Sequence, residues 1–106
     1  MENTFRYLVE QKCNKYKANN TIVYLKEDNH KEKFSYGYLL ETVQKIELIL
    51  KKICIKKADR VAIISPNSPY AVIAGTALAY AGCTAVLIDA ALPVEEIRRL
   101  LEESDV

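Results

Sequence analysis

The chain is predicted to be an α/β protein, three layers deep, with a mainly parallel sheet, helices on both faces of that sheet and an N-terminal β-hairpin. Three observations lead there. Apolar residues recur at helical spacing in several separate segments. The stretches "VAII" and "AVLI" are continuously apolar instead of alternating, the pattern of strands covered on both faces. From Asp59 onward, strand and helix patterns take turns, the order of a right-handed crossover unit.

Residues 1–19 form the leading helix. In "TFRYLVEQKCNKYKAN", Phe5, Leu8, Val9, Cys13 and Tyr16 recur at helical spacing with Arg6, Glu10, Lys12 and Lys15 between them, behind Asn3 or Thr4 as cap. Residues 20–36 form the hairpin: "TIVYLKE" is β-branched and aromatic, "DNHK" supplies turn chemistry and "EKFSY" returns. His30 falls in that turn, where a solvent-exposed side chain is expected, because no second candidate ligand accompanies it.

Residues 37–106 hold the crossover units. Ser35 caps a long helix with Leu39, Val43, Ile46, Leu50 and Ile53 on one face and Glu41, Gln44, Lys45, Glu47, Lys51 and Lys52 mostly elsewhere. Its lysine-rich end suits the negative pole of the helix dipole. "DRVAIIS" follows as an interior strand. In the turn Ser65-Pro66-Asn67-Ser68-Pro69, Asn67 or Ser68 can accept a backbone N–H, and Pro69 suits a first helical position. "YAVIAGTALAYA" is small and apolar on most sides, so it is expected to be buried, with Gly82 ending it in a left-handed conformation. "CTAVLID" is a second buried strand, Pro93 opens a last helix, and Val94, Ile97, Leu100 and Leu101 give that helix one apolar face.

Composition excludes several classes. At 106 residues the chain is one domain or a piece of one, and 50% hydrophobic with 27% charged residues describes a globular chain. A net charge of +1, from fifteen basic and fourteen acidic residues, makes no electrostatic case for nucleic acid, and the pairs Lys51-Lys52 and Lys56-Lys57 read as a solvated helix end. The most apolar region, Tyr70 to Ile88, is broken by Gly75, Thr76, Gly82 and Thr84, so no membrane span is expected. Nothing at the N-terminus reads as a signal peptide, and the chain is expected in the cytoplasm. Cys13, Cys54 and Cys83 fit neither a disulfide framework nor a CxxC pair and read as small buried or half-buried hydrophobes.

Three stretches together resemble the N-terminal part of adenylate-forming ligases, the family of acyl-CoA synthetases, nonribosomal peptide adenylation domains and D-alanine carrier-protein ligases. "FSYGYLL" resembles the family's aromatic-Thr/Ser-Tyr-x-Glu-Leu segment. "ADRVAIISPNSPYAVIAGTALAYAG" resembles its Gly-Asp-x-Val-Ala strand and Asn-Ser helix. "AYAGCTAVLIDAALPVEEIRRLLEES" resembles its Lys-Ala-Gly strand leading into Asp-x-x-x-Pro and a helix. The resemblance covers about residues 20–105. Tyr38 stands where the family usually has glutamate, Ala58 where it has glycine, and Leu87 where proline is common.

The resemblance implies an incomplete subdomain of the ligase fold, from an enzyme that uses ATP and Mg²⁺ to activate a carboxylic acid as an acyl-adenylate and then passes it to a thiol of coenzyme A or a carrier protein. The family's phosphate-binding loop, Thr-Glu segment, ribose-binding Asp and C-terminal lysine have no counterpart here. With Gly37, Gly75 and Gly82 as its only glycines, the chain cannot assemble a phosphate-cradling loop. No catalytic, cofactor-binding or metal-ligating residue is therefore assigned, and no cofactor is expected to bind this chain alone. Its expected partners are the remainder of the ligase and, through an uncovered sheet edge, a second copy. Two alternatives stand beside this: a self-contained α/β interaction module, and a phospho-acceptor domain using Asp89. The latter lacks partner carboxylates for Mg²⁺, since Ser65-Pro66-Asn67 follows the earlier strand; the plain reading of Asp89 is a strand-end carboxylate bonding backbone donors in the next turn.

Overall fold

The structure, a computed structural model, describes residues 4–25, 30–66 and 68–106. Its elements run α1 (Thr4–Lys15), β1 (Asn20–Leu25), β2 (Lys31–Ser35), α2 (Tyr36–Lys52), β3 (Arg60–Ser65), α3 (Pro69–Tyr80), β4 (Thr84–Asp89) and α4 (Val94–Ser104). The class is mixed α/β, as the alternating patterns predict. Both sheets are small: β1 and β2 pair antiparallel, and β3 and β4 pair parallel from Arg60 opposite Thr84 to Ser65 opposite Asp89.

The helix starts follow from the serines that precede them. Ser35 is extended (φ −79°, ψ 161°) and its Oγ accepts the Tyr38 N–H at 3.1 Å. Ser68 does the same for Ala71 at 3.3 Å, with Pro69 as the first helical residue. Each cap satisfies one of the donors that a helix N-terminus leaves orphaned, worth about 1 kcal/mol. Ser68 thus carries the capping role expected of the Ser65–Pro69 turn; Asn67, like Asn3 before α1, lies outside the described residues. Pro93 stands at the N-cap of α4 with no side-chain cap bond, and Glu95 and Glu96 in the first turn face the positive end of the helix dipole instead.

The core lies among the helices. Cys13 of α1, Phe34 of β2, Leu39, Leu40 and Val43 of α2, and Ile73, Ala77 and Tyr80 of α3 form one buried cluster. Helix α3 has α1 and α2 on one side and the β3–β4 pair on the other, and a Cβ built on Gly75 would stand 3.9 Å from Leu87 Cδ2. A helix contacted on both sides must be apolar nearly all round, which explains its composition.

Four expectations about which faces of the helices and strands are buried are corrected. Helix α1 does not bury the Phe5, Leu8 and Tyr16 side of its pattern, which is exposed; Arg6, Val9, Glu10 and Cys13 are its more buried positions. Glu47 is buried, 8% exposed, because it follows Val43 by one helical turn onto the packed face. Ile53, expected on that face, is exposed because the helix ends beside it. The parallel strands are not buried on both sides: Ile64 is 48% and Leu87 67% exposed, since among the described residues each strand has only the other as neighbour. Helix α4 touches β4 but fully buries none of its residues.

Helices α2 and α3 end in the same hydrogen-bonded motif. After α2, the Cys54 N–H reaches the Lys51 carbonyl at 3.1 Å and the Ile55 N–H the Leu50 carbonyl at 2.9 Å. After α3, Gly82 reaches Ala79 at 3.1 Å and Cys83 reaches Leu78 at 2.8 Å. Both are Schellman closures, which require a left-handed residue just past the cap. Gly82 takes that position with φ 86°, as predicted, and Cys54 takes the equivalent one with φ 67°. Holding that turn leaves Cys54 exposed, which corrects its assignment as a buried or half-buried hydrophobe; Cys13 and Cys83 are buried.

Candidate functional site

Open parallel sheets present ligand sites beyond the carboxyl ends of their strands, which here are the ends of β3 and β4. Ser65 and Asp89 face each other there, and a shallow groove of about 200 Å³ runs past Ile63, Leu87 and Ile88. Both polar side chains are occupied locally. Ser65 Oγ donates to the Pro66 carbonyl at 2.9 Å, and Asp89 Oδ1 accepts the Ala91 N–H at 2.9 Å. Asp89 is therefore the strand-end carboxylate of a turn, and among the described residues no group of three acidic, cysteine or histidine side chains could hold a metal ion. His30 is exposed.

The densest polar cluster joins α1, α2 and α3. The Arg6 guanidinium pairs with both oxygens of Glu47, the second contact at 3.3 Å, and its Nε lies 3.2 Å from Glu10. The same guanidinium stands 4.3 Å above the Tyr80 ring, whose hydroxyl donates to Glu10 at 2.8 Å. The hydrogen bond to Glu47 raises the Arg6 pKa further above its usual value, against the opposing effect of burial. Burial raises that of the Tyr80 hydroxyl. Every charge here has an opposite partner, so the cluster clamps three helices together and leaves neither a base nor a nucleophile poised for chemistry.

Beside this clamp a cleft of about 340 Å³ opens between the end of α2 and the turn after α3. Leu50, Ile55, Ala81 and Cys83 supply its apolar lining, and Lys51, Lys56 and Lys57 its remaining charges. Desolvation, with a smaller contribution from the Asp59 charge, raises the Cys83 thiol, which donates to the Lys56 carbonyl at 3.4 Å. A buried, protonated thiol is a poor nucleophile. The lysine pairs are visible in the sequence as charge runs, but only the fold brings the turn after α3 against them.

No helix of the described residues is long and apolar enough to cross a membrane. The fold and the family agree. The family described as AMP-binding enzyme matches residues 9–106, and the chain belongs to it. No curated protein matches the chain significantly. Among solved structures, the N-terminal subdomain of Klebsiella oxytoca NpsA superposes with a TM-score of 0.80 at 21% identity, covering 98% of this chain and 25% of that one. NpsA in complex with 3-hydroxyanthranilyl-AMSN gives 0.86 at 20% identity, covering 96% and 20%. The fatty acid AMP ligase from Legionella pneumophila gives 0.88 at 19% identity, covering 99% and 19%. The chain thus has the fold of an N-terminal adenylation subdomain and spans a quarter or less of the length of these three structures.

Proposed function

We propose that the chain is the scaffold portion of a ligase that activates a carboxylic acid with ATP and Mg²⁺ and passes the acyl group from its adenylate to a thiol, of coenzyme A or a carrier protein. The observation that carries this reading is the family match across residues 9–106. Likeness to NpsA and to a fatty acid AMP ligase, which lend the acid-activating part, supports it. The described residues offer no cradle for a polyphosphate: the strand-to-helix turn before α3 carries Pro66 and Pro69, which have no N–H to donate. The chain alone is therefore inert and supplies structure to the site. Calorimetric titration with ATP-Mg²⁺ and a pyrophosphate-release assay over a panel of carboxylic acids test this. No binding and no turnover are expected; micromolar affinity or measurable release would overturn the scaffold reading.

The β3–β4 pair leaves Ile64 uncovered on one face and Leu87 on the other, and it is the surface that the remainder of the ligase covers. In the isolated chain it pairs with a second copy, because open and apolar strand edges add neighbours. Sedimentation at micromolar concentration is expected to show a dimer that Leu87→Lys returns to monomer. A wild-type monomer at all concentrations would favour a self-contained interaction module instead.

A further inference from the structure

The cleft between the two helix ends has a distribution of charge that the fold alone does not require. Lys51, Lys56 and Lys57 line it, and none of the three forms an ion pair or side-chain hydrogen bond among the described residues. Lysines at a helix C-terminus are often explained by the carbonyls they cap. Here three carbonyls of the last turn of α2 are already taken: Ile49, Leu50 and Lys51 accept the N–H groups of Ile53, Ile55 and Cys54. Three cationic side chains thus line one cleft with no carboxylate paired to them, and an anion there gains their attraction.

The neighbouring carboxylates do not fill this role. Glu47 lines the cleft but is bound to Arg6, and Glu10 is held by Arg6 and Tyr80. Asp59 Oδ2 accepts the Lys56 backbone N–H at 2.8 Å, which fixes it to the turn. The floor is apolar, with Leu50 from the end of α2, Ile55 from the turn after it, and Ala81 and Cys83 from the turn after α3. At about 340 Å³ the space falls at the lower end of small-molecule sites, roughly 300–1,000 Å³.

We propose that this cleft binds a small amphiphilic carboxylate, its head between the three lysine ammonium groups and its tail over Leu50, Ile55 and Ala81. The site is separate from the nucleotide chemistry, which this chain does not carry, and it stands whether or not the ligase reading holds. The two turns that form it are rigidly joined: Ala58 N–H donates to the Gly82 carbonyl at 2.9 Å, and Thr84 N–H to the Asp59 carbonyl at 2.9 Å. The site is therefore preorganised, which limits the ordering cost of binding.

Octanoate is the probe, with acetate as head group alone and inorganic phosphate as charge alone, titrated into the 106-residue chain and followed by NMR. Octanoate is expected to bind saturably and at least about tenfold more tightly than acetate or phosphate, as partial burial of its methylenes requires. Signals of Leu50, Ile55 and Ala81 shift, while those of Ile64 and Leu87 stay in place. The variant Lys51→Gln/Lys56→Gln/Lys57→Gln, which keeps most of each side-chain stem, is expected to lose at least about tenfold in affinity with an unchanged spectrum elsewhere, the scale of a lost charged contact. Equal binding of acetate, an undiminished triple variant, or shifts centred on Ile64 and Leu87 would each overturn the proposal. The ATP titration is read separately, so failure of the scaffold reading leaves this result intact.

Discussion

The turns after α2 and α3 close with the same pair of hydrogen bonds, yet one places cysteine and the other glycine at the left-handed position. The difference separates what the backbone needs from what a side chain costs. Both turns need a residue with positive φ, and the hydrogen bonds form in either case. An L-residue held there costs about 1–2 kcal/mol, a strain that glycine escapes at the expense of greater freedom in the unfolded chain. The α2–β3 connection carries that strain twice. Ala58, φ 70°, is also left-handed, and it stands where the resembling ligases usually have glycine. The departure is therefore more than a neutral change of turn residue: alanine has been placed where the backbone asks for glycine.

The largest effect is expected from Gly82→Ala, which would make the second turn like the first. The new Cβ would sit 3.3 Å from Lys57 Cγ, a contact the flexible side chain relieves by a small shift, so backbone strain dominates. A loss of about 1–2 kcal/mol in urea unfolding, with the slope unchanged, is expected. An unaltered midpoint would show that the turn does not hold Gly82 in its left-handed form.

The reverse changes should stabilise. Cys54→Gly and Ala58→Gly each relieve a left-handed residue and give back part of the gain as chain entropy, for a net improvement of about 0.5–1 kcal/mol apiece. Both side chains are exposed, so no packing is lost. A lower urea midpoint for either variant would mean that its side chain contributes something that the strain argument omits. The smallest effect should come from exchanging the two residues, Cys54→Gly with Gly82→Cys, which leaves the number of strained positions unchanged. Only the crowding against Lys57 distinguishes the swapped protein, so a loss of less than about 1 kcal/mol is expected. A loss equal to that of Gly82→Ala alone would show that the two turns are not equivalent.

The same pair of residues marks how far the sequence could be read. Gly82 announces itself, because glycine after an apolar helix is the usual left-handed stop. Cys54 gives no such signal, since nothing in "KKICIKK" distinguishes a strained turn from a solvated helix end. Ser35 and Ser68 were legible as caps because serine before an apolar helical run has one common use. Arg6 and Glu47 were not legible as a pair. They are forty-one residues apart, and each looks like an ordinary solvent-facing charge until α1 and α2 are packed together. The cleft beside them was hidden for the same reason: its lysines are a local run, while Ala81 and Cys83 come from a turn that only the crossover brings near.

By itself, the sequence determined the order and type of the elements, the parallel β–α–β unit from Asp59 onward and the resemblance to adenylate-forming ligases, because periodicity, caps and local motifs act over a few residues at a time. It also determined that Asp89 ends a strand as a turn carboxylate, a bond spanning two residues. The tertiary structure decided which face of α1 turns inward, that Glu47 is buried with Arg6, that Ile64 and Leu87 are left uncovered and that three lysines share a cleft. These outcomes depend on which surfaces meet, and burial and charge pairing take their energy from those meetings, which no local window of sequence contains.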